Sequence, residues 1–251
     1  MGLLIDDGLV IVDHNATDHL QTTRKGNPTQ HHLSGLVVHS VYKRLKNSAK
    51  FSKDRDQKVI GDNCPLIYAV KGNDGLSTNV TSIKRLLEHT SSIISDICEN
   101  IDGQVDGLVT MPSGFPLANW LAKRVQREMG LPIFTNVFRK STKLEAAARA
   151  EALIPQPIAG LDKRQRKQLR NAVKKVRRID GNTYAAKFVP PHLRSYFDPI
   201  QWQGLQCPQT HRLLLVDDLL ASGGTFLAAN SILQANGWPP PQHSVTWFSA
   251  V

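Results

Sequence analysis

The run from Arg212 to Ala229, RLLLVDDLLASGGTFLAA, narrows the folds open to this chain more than any other stretch. Leu213 to Val216 is uninterrupted apolar sequence, as expected of a strand buried on both faces of a parallel sheet, and an apolar-periodic helix begins at Thr225. Between them lie two acids and the turn Ala221-Ser222-Gly223-Gly224-Thr225. A strand, turn and helix in this order put the turn at the carboxyl end of a strand, where open α/β sheets bind ligands. The turn also meets a helix start, with its unpaired N–H groups and positive dipole end. It is suited to an anion. Gly223 and Gly224 allow close backbone approach and positive φ, so successive amides can converge on a phosphate, while Ser222 and Thr225 add hydroxyl donors.

The acids restrict which phosphate compound fits. Asp217 and Asp218 would repel phosphate oxygens, but adjacent carboxylates are good acceptors for the two hydroxyls of a ribose diol. No GKS or GKT of a Walker-type loop is present, and no GxGxxG turn follows a predicted strand, which removes nucleoside triphosphate and dinucleotide readings.

At these residues the chain resembles the type I phosphoribosyltransferases, whose signature is an apolar strand, two acids, two apolar or small residues, and a small-Ser/Thr-Gly-Gly/Ala-Thr loop; LLLVDDLLASGGT follows it step by step. The resemblance implies that Asp217 and Asp218 are the catalytic acids, holding the ribose hydroxyls of phosphoribosyl pyrophosphate (PRPP). It also implies that Ala221, Ser222, Gly223, Gly224 and Thr225 bind the 5-phosphate. Mg2+ is the implied cofactor, carried by PRPP and approached by Asp217. The loop Thr110 to Pro116, TMPSGFP, lies one strand-helix interval earlier, and in that family the corresponding loop receives pyrophosphate. Pro112, Ser113 and Gly114 inherit that role, with Arg139 and Lys140 at the end of the next strand as cationic partners. The order of segments from Pro65 to the C-terminus is most similar to the competence-protein-F branch. The chain departs from that branch in lacking a cysteine-rich metal module, and in having Ser113-Gly114-Phe115-Pro116 where the branch carries Arg-Gly-Phe-Asn.

Regular strand-helix alternation runs from residue 65. Leu66–Val70 reads as a strand, Ile83 to Ile97 as one stripe of a long helix, Gly107–Met111 as a strand, Leu117–Met129 as a helix and Pro132–Phe138 as a strand. Arg212–Val216, a helix over Thr225–Asn236 and a last strand His243–Phe248 complete the series. The predicted fold is α/β, a phosphoribosyltransferase-like parallel sheet flanked by helices over residues 63–251, with right-handed crossovers. Residues 1–62 form a small N-terminal extension: a hairpin over residues 3–12 and a helix over Ser34–Lys46, in which Val37, Val38, Val41 and Leu45 recur behind a Ser cap. The charged stretch Asn47–Gln57 reads as exposed. The loop residues Asp13, His14, Asp18, His19, His31 and His32 match no metal-ligand spacing and read as solvated side chains.

The sheet pattern lapses over a helical insertion, 141–207. Leu144–Leu153 is helical, Pro155 and Pro157 break it, and a strongly basic helix follows with an apolar stripe of Leu169, Val173, Val176 and Ile179. The net charge of +10 sits here. Nine of the 31 basic residues lie between Lys163 and Arg178 with no acid among them, and the remainder nearly balance the 21 acidic residues. Such a run is either a solvated helix face or, through Arg170, Lys174, Lys175, Arg177 and Arg178, a nucleic-acid contact. Tyr184, Phe188, Tyr196, Phe197 and Trp202 either pack internally or hood a planar base.

With 251 residues, 41% hydrophobic and 21% charged, the chain can bury a sizeable core. Cys64, Cys98 and Cys207 are odd in number and form no CxxC pair, which suits a reducing compartment. No signal peptide or membrane-length apolar run is visible, so the expectation is a cytoplasmic protein with no membrane partner. Expected ligands are PRPP or a nucleoside monophosphate, with a base or amine as acceptor. Nothing in the sequence specifies that acceptor, or whether the chain forms a homo-oligomer. Two further readings stay open: a non-catalytic module that senses PRPP or nucleotide and binds nucleic acid through residues 163–178, and a hydrolase that uses water as acceptor.

Overall fold

The computed structural model describes residues 2–45, 64–154 and 162–249. The exposed stretch expected at 47–57 and the helix break at Pro155 and Pro157 lie outside the described residues. The strands are β1 Gly2–Asp6, β2 Leu9–Asp13, β3 Thr29–Leu33, β4 Leu36–Tyr42, β5 Ser77–Thr78, β6 Gly107–Thr110, β7 Ile133–Phe134, β8 Phe138–Lys140, β9 Ile200–Trp202, β10 Leu213–Leu219 and β11 His243–Phe248. The α-helices are α1 Pro65–Val70, α2 Val80–Ile101, α3 Leu117–Met129, α4 Lys143–Leu153, α5 Lys163–Arg178 and α6 Gly224–Ala235.

The central sheet has the order β3-β4-β11-β10-β6-β7. Its neighbours pair in parallel except for the β3–β4 hairpin, so the sheet is mixed, with one antiparallel edge, where the sequence alone suggested a wholly parallel one. Residues of β10 alternate between two cores. Leu214 and Val216 join α2, α3 and the β1–β2 hairpin on one face, while Leu213 and Leu215 join Phe226, Ala229 and Leu233 of α6 on the other. Each face is thus covered by helix, which explains why this strand is apolar without interruption.

Three local predictions are corrected. In the segment expected to be a helix over Ser34–Lys46, the described residues 34–45 hold strand β4 behind a tight turn, with Ser34 at φ 47° and Gly35 at φ 86°, and not a capped helix. Its Val-rich run suits a strand, and the polar residues that mimic a helix's wet face are paired inside the sheet: Ser40 Oγ lies 2.9 Å from Thr246 Oγ1 and His39 Nε2 lies 3.2 Å from His243 Nδ1. Leu66–Val70 is helix α1, opened by Pro65 at its first position; a short apolar run has no period of its own, and proline at N1 settles the matter for helix. Pro132–Phe138 is broken at Asn136, φ 59°, so β7 stays in the main sheet while β8 leaves it to pair with β9.

The insertion has its own core. Ala146, Ala147 and Ala150 of α4 pack on Leu169, Ala172, Val173 and Val176 of α5, and Tyr184 stacks on Phe197 at 5.8 Å. Both helices start with reciprocal capping boxes, Thr142 with Glu145 and Asp162 with Gln165. Of the aromatic residues considered for a hood, Tyr184 and Phe197 are thus core, and Trp202 packs between Phe138 and Trp238. The three cysteines are free thiols. Among the described residues, no helix is long and apolar enough to cross a membrane.

Candidate functional site

β10 and β6 are neighbours, with Val216 opposite Thr110 and the Met111 N–H donating to the Val216 carbonyl at 2.8 Å. The two predicted anion-holding turns, 112–116 before α3 and 221–225 before α6, therefore leave adjacent parallel strands on the same edge of the sheet. Adjacent strands lie about 4.8 Å apart, so one small ligand can reach both turns. Neither α3, capped by Pro116, nor α6, capped by Gly223, receives a side-chain hydrogen bond at its N-cap. Both helix starts keep N–H groups for an anion.

Gly223 is left-handed at φ 74°, and a Cβ placed on it would collide with Leu33 Cδ2 from the antiparallel edge strand. Sequence alone marks this glycine for flexibility; the close approach of Leu33 is a second reason. Gly223→Ala is expected to lower stability by about 1–3 kcal/mol in urea denaturation, from backbone strain and overlap together. Adding Leu33→Ala should relieve the overlap but leave the φ strain. Full recovery in the double variant would show that strain plays no part.

Pro112, Ser113, Gly114, Arg139 and Lys140 all line one cavity of about 340 Å³, with Asn119 and Asn136 on its wall. Arg139 is not a free cation, however: its guanidinium grips Glu145 with two bonds of 2.6 and 2.8 Å, and this pairing draws the Glu145 carboxyl down to about 2. Lys140 carries the remaining charge.

The acids are arranged differently from a simple paired grip. Because side chains alternate along β10, Asp218 leaves on the α2/α3 face with Leu214 and Val216, and Asp217 on the α6 face with Leu213 and Leu215. They flank the strand end. Asp218 is buried and held at Oδ2 by Lys71 Nζ at 2.5 Å and by the Ser113 hydroxyl at 3.2 Å. Asp217 accepts the Asp218 N–H at Oδ1, 2.8 Å away. Burial raises its carboxyl well above the usual carboxylate range, the nearby Asp218 charge adds to this, and Lys71 and Lys140 pull it back.

Lys71 is the residue that local sequence reasoning passed over. It caps α1, lies 147 positions from Asp218, and stands 5.6 Å from the Phe115 ring centroid in the loop before α3. Its only signal in the sequence is its place just after a short apolar run. Phe115 is itself 38% exposed, an aromatic surface beside the site in place of the buried Tyr184 and Phe197.

Ser222, Gly224 and Thr225 border a separate cavity of about 620 Å³ between α6 and the insertion, where Arg149 and Arg194 also lie. The insertion carries a third cavity, about 820 Å³, walled by Lys174, Lys175, Arg178 and Phe188. Of the other predicted nucleic-acid contacts, Arg170 is exposed and Arg177 is paired with Glu151 at 2.5 Å.

The donor set at the end of β10 suits Mg2+ in kind, being carboxylate oxygen without thiol or imidazole. Asp218 is engaged by Lys71, so Asp217 is the carboxylate of the pair that would hold such an ion. Comparison of the chain with protein-family models gives no match, and comparison with curated proteins gives no significant similarity.

Proposed function

We propose that the chain is a phosphoribosyltransferase-type protein that binds PRPP with Mg2+ and transfers its phosphoribosyl group to a base or amine. The observation that carries this reading is the shared edge: two uncapped helix starts with glycine-bearing turns, on adjacent parallel strands, flanking an acid pair. The 221–225 turn holds the 5-phosphate through its amides and through Ser222 and Thr225. The loop at 112–114, with Lys140, receives pyrophosphate. A ribose lying across the end of β10 meets one carboxylate on each side of the strand. Mg2+, when bound with PRPP, offsets charge on the leaving pyrophosphate. As the bond at C1 weakens, positive charge grows on the sugar, and Asp217 and Asp218 stabilise it while orienting the diol. Lys71, held on Asp218, keeps that carboxylate in place until the ribose arrives.

The test is calorimetry of the full chain with PRPP and Mg2+, followed by turnover against a panel of bases, ammonia and water with products identified by mass spectrometry. Stoichiometric binding and a phosphoribosylated product are expected. Ribose 5-phosphate alone would make the protein a hydrolase, and absence of binding would end the reading.

A second reading is favoured by one feature, the basic cavity on α5. A module that senses PRPP or nucleotide could present Lys174, Lys175 and Arg178, with Arg170 and Arg177 nearby, to a nucleic-acid backbone. Neutralising Lys174, Lys175, Arg177 and Arg178 should then reduce the log–log salt slope of single-stranded oligonucleotide binding by roughly 3. An unchanged slope would reduce the run to a solvated helix face.

A further inference from the structure

The N-terminal hairpin meets α2 at a cluster that the proposed reaction does not use. His14 directly follows β2, and Glu88 and His89 lie midway along α2. One ligating atom from each residue lies within 4.8 Å of the other two. His14 Nε2 stands 3.4 Å from Glu88 Oε2, and the rings of His14 and His89 meet edge to face at 5.2 Å.

The His14 ring is already oriented. Its Nδ1 lies 2.9 Å from Oγ1 of Thr22, a residue with no exposure to solvent. With the Nδ1 proton donated to that hydroxyl, the lone pair is on Nε2, facing Glu88 and His89. This Nε2 is shielded from solvent and has no hydrogen-bond partner. A separation of 3.4 Å is long for a hydrogen bond. It matches the edge of a tetrahedron whose metal bonds are about 2.0–2.1 Å, roughly 3.3–3.4 Å.

We propose that His14, Glu88 and His89 form a site for a borderline divalent transition metal, Zn2+ in the first instance. Two imidazoles and one carboxylate favour such an ion over Mg2+ or Ca2+, which prefer oxygen alone. The Glu88 side chain is 58% exposed, so it can turn to bring the wider separations to bonding distance, and a fourth position is open to water. Thr22 acts as the positioning residue behind His14. The bound ion would tie the end of β2 to α2, clamping the hairpin against the helical layer that carries Leu86 and Ile93.

The experiment uses the full chain freed of metal by chelation, titrated with Zn2+ against a chromophoric chelator and, separately, with Co2+ followed by its visible absorption. One ion per chain and a Co2+ spectrum of tetrahedral intensity are expected. At a hundredfold excess of Zn2+ over Kd, the Tm should rise by roughly 5–10 °C. His89→Ala should weaken binding at least 100-fold, Glu88→Gln about tenfold, and Thr22→Val roughly 10- to 100-fold. Lack of stoichiometric binding would overturn the site. So would equal affinity in Glu88→Gln and His89→Ala, which would place the ion on other residues such as Cys207. If His89→Ala does not fold by circular dichroism, Glu88→Gln decides, since it alters an exposed side chain alone. None of these readouts requires PRPP, so the site stands or falls separately from the proposed transferase function.

Discussion

Replacing both Asp217 and Asp218 with asparagine is expected to abolish PRPP–Mg2+ binding in calorimetry, a loss of at least about 100-fold, or roughly 2.7 kcal/mol. Shape is nearly conserved by the exchange, and the amide oxygen introduced at position 217 could still accept the backbone N–H of position 218 that Asp217 accepts now. What disappears is charge. Hydrogen bonds to an ionised acceptor are worth about 1.5–3 kcal/mol each, and both carboxylates are assigned to the sugar. Unchanged affinity would remove the acid pair from the site and with it the proposed function.

The single variant Asp217→Asn separates binding from folding. Burial raises the native carboxyl above its value in an unfolded chain, so the native state retains a proton that the unfolded chain releases. Stability from this group is therefore intact below about pH 4 and declines as pH climbs toward the raised native value. At pH 8 the buried carboxylate is ionised beside Asp218, and removing its charge should increase stability by about 1–3 kcal/mol in urea denaturation, with the gain vanishing near pH 3. A gain in stability at the same position as a loss in binding is the pattern expected of a functional residue held under strain of burial. A loss of stability at pH 8 would contradict the assigned cause of the shift.

Lys71→Met is expected to lower stability by about 3–5 kcal/mol, the largest single effect at the site. Lys71 and Asp218 side chains are only 18% and 12% exposed, and truncating the cation strands a carboxylate away from water with the Ser113 hydroxyl as its remaining side-chain partner. Combining Lys71→Met with Asp218→Asn should recover most of the loss, because the cost arises from the uncompensated charge and not from the missing bond. The cycle is read by denaturant midpoints of the four proteins. Additive losses in the double variant would mean that the two side chains are not coupled.

Much of the architecture was legible because long segments carry a period. The stripe of α2, the α3 helix and the basic helix α5 repeat their apolar residues over several turns, and β11 coincides with its predicted bounds of His243–Phe248. The short runs failed. Val37, Val38 and Val41 fit a helical spacing as well as a strand until His39 and Ser40 find partners on β11, and the five apolar residues at 66–70 fit either state.

The two glycine-bearing turns proposed to hold anions and the acid pair could be named from the chain alone, since glycine, hydroxyl and carboxylate residues at fixed offsets are a local property and a strand-to-helix turn expresses them wherever it sits. Local spacing does not contain the rest. The order of β4, β11, β10 and β6 sets the turns side by side, and the pleat sends Asp217 and Asp218 to opposite faces. Chain segments that meet only after folding place Lys71 on Asp218 and His14 against Glu88 and His89. Burial then decides what these groups do, because a charge or lone pair withdrawn from water is governed by the neighbours that packing supplies, and those neighbours are distant in sequence.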